Sequence, residues 1–175
     1  MSILPVLKHP DKRLREVAKN ITLEKLRSKE VQALIEDLTD TMIADDGIGI
    51  AATQVGTPHQ VFVLGGKTRH DAQVFVNPKI VSFSQRETYM EEGCLSVPGV
   101  YGLVKRPVKV RLKALDRHGK PVDVKATGLT AKVFQHEVDH LNGILFIDKA
   151  ERIVSGGLKD GAAGGAGGDP SRTRI

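Results

Sequence analysis

From about Leu23 to Ala44 the apolar residues Val31, Leu34, Ile35, Leu38 and Met42 recur at helical spacing, while Glu30, Glu36, Asp37 and Asp40 lie off that stripe. The pattern predicts a long amphipathic helix that stops near Asp45-Asp46-Gly47, where glycine supplies the left-handed backbone common at helix C-termini. Ahead of it, His9-Pro10-Asp11 reads as a turn whose aspartate can cap a short helix carrying Leu14, Val17 and Ala18. Residues 61–64, 74–76 and 79–83 are short β-like apolar runs separated by turn-rich segments that include Asn77-Pro78. Val108, Val110, Leu112 and Ala114 then alternate with Lys109, Arg111 and Lys113, and DRHGK turns the chain into Val122, Val124 and Ala126. That alternation describes a hairpin with one basic face, read as a solvated sheet surface. A final helix is expected around QHEVDHLNG, residues 135–143, with Thr130 as its N-cap, Leu129 and Phe134 as a hydrophobic staple, and Asn142-Gly143 as its stop.

Composition adds a boundary and several exclusions. The 175 residues, 40% hydrophobic and 27% charged, suffice for one well-buried core, so 1–155 reads as a single domain. Residues 156–175 change to a glycine-rich composition that cannot bury enough apolar surface to fold, and are expected to form a flexible tail. The net charge of +5 and pI near 9.4 permit an anionic partner. With no Trp, two Tyr and five Phe there are few rings for base stacking and no nucleic-acid motif, so no specific nucleic acid is expected. The one cysteine, Cys94, rules out an intramolecular disulfide and suits a reducing, bacterial-type cytoplasm. No run approaches the length of a membrane span, and the N-terminus lacks the apolar core of a signal peptide.

The chemistry centres on the final helix. One helical turn apart, His136 and His140 can reach a single metal ion, with Glu137 beside them as a built-in base. In EEGCLSVPG, residues 91–99, the chain turns on both sides of Cys94, which suits a thiolate held at a fixed point and makes it the best third ligand; Glu91 and Glu92 are alternatives. A Cys-His-His set leaves one tetrahedral position for water. GIGIAATQVG, residues 47–56, lacks the phosphate-binding glycine spacing and reads either as a tight loop or as a place where a substrate backbone approaches closely while the Gln54 amide points a donor inward. A zinc endopeptidase of the His-Glu-x-x-His type is the rival enzyme, but no histidine follows His140 and the only later glutamate is Glu151. A non-catalytic RNA-binding module would explain the charge but not Glu137 between two ligands.

GIGIAATQVG, EEGCLSVPG and QHEVDHLNG, in that order, resemble the three signature motifs of the peptide deformylases, and the resemblance extends through LKHPDKRLREVA to cover roughly residues 3–150. It implies an α+β fold in which antiparallel or mixed sheets pack around a central metal-binding helix, with the long amphipathic helix near the N-terminus. It implies Cys94, His136 and His140 as metal ligands, Glu137 as general acid/base, and Gln54 with the Leu95 N–H as oxyanion donors. Gly49 matches a position whose backbone meets the substrate, Ile48 and Val133 help line the methionine pocket, and Glu92 lies near it. Arg106 and Asp139 resemble an ion pair that steadies the metal helix. The cofactor expected is one divalent ion, natively Fe2+, with Zn2+, Ni2+ or Co2+ as alternatives. The partners expected are formyl-Met N-termini of nascent peptides, with transient ribosome association and no membrane. Two features depart from the family pattern: Lys132 replaces an apolar pocket residue, its stem expected in the pocket and its ammonium in water, and the basic C-terminal helix that resembles a ribosome-docking device is missing.

Overall fold

The computed structural model describes residues 2–155 except 66, 67 and 69; the expected tail at 156–175 lies outside the described residues. Its fold is α+β, with two antiparallel sheets. The larger sheet has the order β1-β2-β3-β6-β7, from β1 (Gly49–Ala51), β2 (Val61–Leu64), β3 (Gln73–Phe83), β6 (Lys109–Leu115) and β7 (Pro121–Thr127). The smaller has the order β4-β5-β8, from β4 (Glu87–Cys94), β5 (Val97–Pro107) and β8 (Ala150–Ser155). Three helices are described: α1 (Leu23–Leu26), α2 (Lys29–Ala44) and α3 (Gly128–Leu141).

The two faces of the larger sheet bury different partners because consecutive strand residues point to opposite sides. Val61, Val63 and Val76 meet Val31, Ile35, Leu38 and Met42, the predicted stripe of α2. Phe62, Phe75, Val110 and Leu112 meet Ala131, Val133, Phe134 and Leu141 of α3. Phe134 stands edge-on to Phe75 at 5.0 Å, and Phe75 stacks on Phe62 at 4.8 Å, an aromatic wedge that fixes α3 against the sheet. On the other side of the metal helix, Cys94, Val97, Val100, Val104, Leu145 and Phe146 form a third apolar cluster on the smaller sheet.

Several local expectations are corrected. The helix expected over Leu23–Ala44 is broken between α1 and α2, because the Ser28 hydroxyl accepts from the Val31 N–H at 3.3 Å and so starts a new helix. The helix expected after Asp11 is one 3-10 turn, Lys12–Arg15, which leaves Val17 exposed. The runs at 74–76 and 79–83 are one strand, kinked by bulges where Asn77 takes φ +50° and bonds the Ile21 backbone through both ends of its amide. The glycine-rich segment at 47–56 contributes strand β1 and a 3-10 turn (Ala52–Val55) rather than a plain loop. Finally, α3 starts at Gly128 with Thr127 as its cap residue, not at Thr130; Gly128 has φ +59°, so a β-strand passes straight into the helix, and with Leu129 exposed the staple does not form.

Candidate metal centre

Helix α3 and the end of β4 together bring three ligand-type side chains into one buried pocket. The ligand atoms of Cys94, His136 and His140 lie within 4.8 Å of one another. His136 and His140 share a face because they are one turn apart, their rings 4.8 Å between centroids. Cys94 arrives from the last residue of β4, where the register shifts between Gly93 and Cys94 and the chain reverses into β5. Its Sγ lies 3.1 Å from His140 Nε2 and accepts from the Ser96 N–H at 3.4 Å.

The surrounding charges set the state of each ligand. Burial pushes the Glu92 carboxyl up, but hydrogen bonds from Arg106 and His136 outweigh it and hold the group at about 2, so it is ionised. An ionised Glu92 can only accept, so the 2.9 Å contact is donated by His136 Nδ1, which leaves Nε2 as the ring nitrogen available to a cation. His136 Nε2 has no hydrogen-bond partner although it is buried. Burial keeps His140 well below the usual histidine range, hence neutral, and pushes the Cys94 thiol up to about 12. A buried thiol with that affinity for its proton, a neutral His140 and a His136 whose Nε2 is buried without a partner make a donor set that fits one divalent cation, whose charge would convert the thiol to a thiolate.

Glu137 completes the cluster. Both of its carboxylate oxygens are buried without a partner, and burial, followed by the charge of Glu92, raises its affinity for a proton well above that of an ordinary carboxyl. Gly49 on β1 makes room for it: a Cβ there would stand 2.6 Å from Glu137 Oε1 and 3.1 Å from Val133 Cγ1. Gln54 reaches the same place from the 3-10 turn. The Ala51 N–H holds its Oε1 at 2.8 Å, so its Nε2 faces Ser96 Oγ at 3.2 Å and Cys94 Sγ at 3.6 Å. Behind the helix, Arg106 donates to Glu92 at 2.6 and 2.9 Å and to Asp139 at 2.8 Å, while Lys149 reaches Asp139 at 2.7 Å.

A motif order, a Cys-His-His cluster and a glycine strand against a buried glutamate are now all in one place, and comparison with known sequences decides what they belong to. The sequence model of the polypeptide deformylase family matches residues 3–155. The chain belongs to the peptide deformylase family. It is 46% identical over 160 residues to peptide deformylase 1 of Pseudomonas syringae pv. tomato, covering 91% of this chain and 94% of that one. Among solved structures it is similar to a peptide deformylase from Legionella pneumophila, at TM-score 0.80 and 44% identity over 86% of this chain and 87% of that one. It is also similar to a class I type b peptide deformylase from Acinetobacter baumannii solved with Met-Ala-Ser bound, at TM-score 0.80 and 37% identity over 85% and 99% of the two chains.

As a deformylase, the chain is a metal-binding hydrolase, and the endopeptidase reading falls away. The geometry brings Cys94, His136, His140, Glu137, Gln54, Gly49 and Val133 together; Ile48 packs at the rim of the cluster that holds Val133, and Leu95 is buried next to Cys94. Glu92 sits deeper than a pocket residue, between His136 and Arg106. Lys132 differs from expectation: its ammonium is not in water but donates to the Glu91 carbonyl, tying α3 to β4. Two contacts had no sequence signal: the Lys8 ammonium bonds the Leu95 carbonyl at 2.8 Å from 87 positions away, and Ser96 holds the Gln54 amide. No helix among the described residues is long and apolar enough to cross a membrane.

Proposed function

We propose that the chain hydrolyses the N-formyl group of formyl-Met peptides of nascent proteins in a bacterial-type cytoplasm, releasing formate. The observation that carries this reading is the buried Cys94, His136 and His140 cluster with an unpartnered Glu137 beside it. The Met-Ala-Ser peptide bound by the Acinetobacter baumannii relative supports a peptide with N-terminal methionine as the product.

Cys94 Sγ and the Nε2 atoms of His136 and His140 would hold the cation, and Glu92 orients His136 for that task through Nδ1. When bound, a divalent ion supplies Lewis acidity, lowering the pKa of a nearby water and polarising the formyl carbonyl. Glu137 takes the proton of the attacking water and returns it to the leaving amine, a shuttle that its partnerless oxygens leave it free to perform. The Gln54 NH2, aimed by the Ala51 N–H, and the Leu95 N–H stabilise the oxyanion. Gly49 carries the substrate backbone past Glu137, and Ile48 and Val133 line the methionine pocket, with Glu92 beyond it. Arg106 and Asp139 steady α3 from behind.

The ion is one divalent cation, Fe2+ by likeness to the family; thiolate and imidazole donors also accept Zn2+, Ni2+ or Co2+. The catalytic unit lies within residues 1–155, and contact with the ribosome is transient. The test of the reading is formate release from a formyl-Met peptide by the metal-loaded chain, compared with its Glu137→Gln variant.

A further inference from the structure

The half of the larger sheet that α2 leaves uncovered carries a second chemical feature. Helix α2 packs on β2 and the start of β3, through Val61, Val63 and Val76. On the same side of β3, β6 and β7, farther from the helix, stand Lys79, Lys109, Arg111, Lys113 and Lys125. The register places Lys79 directly across from Lys113, and Arg111 directly across from Lys125. Like charges directly opposed on a sheet destabilise it. The only carboxylate in this row is Asp123, across from Lys113; it binds Arg111 at 2.7 Å and approaches Lys113 at 3.9 Å. Five cations therefore share one acid on this face, a local excess of positive charge.

The spacing has a counterpart. Neighbouring strands lie about 4.8 Å apart and alternate residues about 6.6 Å apart along a strand, so the ammonium groups form a grid on the scale of successive backbone phosphates. Aromatic rings are missing from the grid, because Phe83 is paired with buried Val110 and faces the other side of the sheet. The face therefore has cations for phosphates and no platform for stacking bases. It also projects no helix for a B-DNA major groove, whereas duplex RNA is bound largely through its shape and its phosphates.

We propose that the Lys79, Lys109, Arg111, Lys113 and Lys125 face is a sequence-independent docking surface for the phosphate backbone of duplex RNA. It is a second surface, remote from the metal ligands and built from residues that take no part in the hydrolysis.

The experiment uses the full, metal-loaded chain and a fluorescent RNA hairpin of about 20 base pairs, with anisotropy read from 50 to 200 mM salt. The wild type binds with a log–log salt slope of about −3 to −4. Lys79→Gln, Lys109→Gln, Lys113→Gln and Lys125→Gln each flatten the slope by about 1, and the four together bring the slope close to zero and weaken binding by more than about 1,000-fold at 50 mM salt. Lys12→Gln with Lys29→Gln, exposed cations elsewhere, leaves the slope unchanged. Unaltered thermal unfolding and formate release in the quadruple variant establish that the fold persists. An RNA affinity that the sheet variants do not change, or no RNA binding at 50 mM salt, would overturn the proposal. So would binding to phosphatidylglycerol vesicles without RNA binding, which would make the face a membrane-surface patch.

Discussion

Glu92 and His136, 44 positions apart, meet at 2.9 Å through Oε2 and Nδ1, and this contact turns a sequence motif into an oriented ligand. The other oxygen of Glu92 is held by Arg106 at 2.6 Å, and the same guanidinium reaches Asp139, three residues beyond His136 on α3. One buried arginine thus tethers the helix with the imidazoles to the strand with the thiol.

Replacing Glu92 by Gln removes the acceptor charge while keeping the volume. Arg106 then remains buried with only Asp139 for compensation, which should cost about 3–5 kcal/mol of unfolding free energy. Metal affinity should fall about 10- to 100-fold because His136 loses its orientation. Chelator competition and urea denaturation of Glu92→Gln measure the two effects; wild-type affinity would show that His136 needs no anchor.

Glu137→Gln keeps the shape of the side chain and removes its basicity. Turnover should fall by at least about 100-fold with metal content unchanged, since the loss is of proton transfer and not of a ligand. Metal analysis beside single-turnover formate release separates the two; loss of the metal itself would make Glu137 a structural member of the cluster.

For Gln54→Ala the expected loss is about 100- to 1,000-fold in kcat, with little change in KM, because its NH2 acts on the developing oxyanion. A rise in KM at constant kcat would assign Gln54 to substrate binding instead.

Acid stability should depend in part on Asp148. Partial burial pushes its carboxyl up, but hydrogen bonds from the Arg15 guanidinium and the Leu145 N–H hold it below the ordinary range. A carboxyl depressed in the folded state adds stability above its unfolded pKa of about 3.9, and that stability is lost as pH falls through the lower folded value. Asp148→Asn should therefore lower the melting temperature near neutrality and leave it nearly unchanged at the acid end. The side chains are both more than a third exposed, so the effect is at most about 1 kcal/mol. An equal loss at every pH would show that the contribution is not ionic.

The ligands were legible because each obeys a local rule: helical spacing for His136 and His140, and a turn-flanked position for Cys94. The α2 stripe, the hairpin of β6 and β7 and the run 61–64 were legible for the same reason. What sequence did not show depends on partners far along the chain. Glu92 is one of two adjacent strand carboxylates, and only strand direction sends it inward to His136 while Glu91 stays exposed. Lys132 reads as a snorkelling lysine until the Glu91 carbonyl is placed within its reach. Thr130 has the chemistry of a cap, but the backbone of β7 runs on to Thr127 and a left-handed Gly128 starts the helix first.

The central claim is that Cys94, His136 and His140 hold the ion on which deformylation depends, and it is tested most directly by formate release from formyl-Met-Ala-Ser. The chain is stripped with chelator and reconstituted anaerobically with Fe2+ or Zn2+, alongside Cys94→Ser. The account predicts no formate from the stripped chain, restored release at about one ion per chain with Fe2+ the more active, and a Cys94→Ser variant that neither retains the ion nor recovers. Formate release that persists in the stripped chain, or none in any metal-loaded sample, would contradict it.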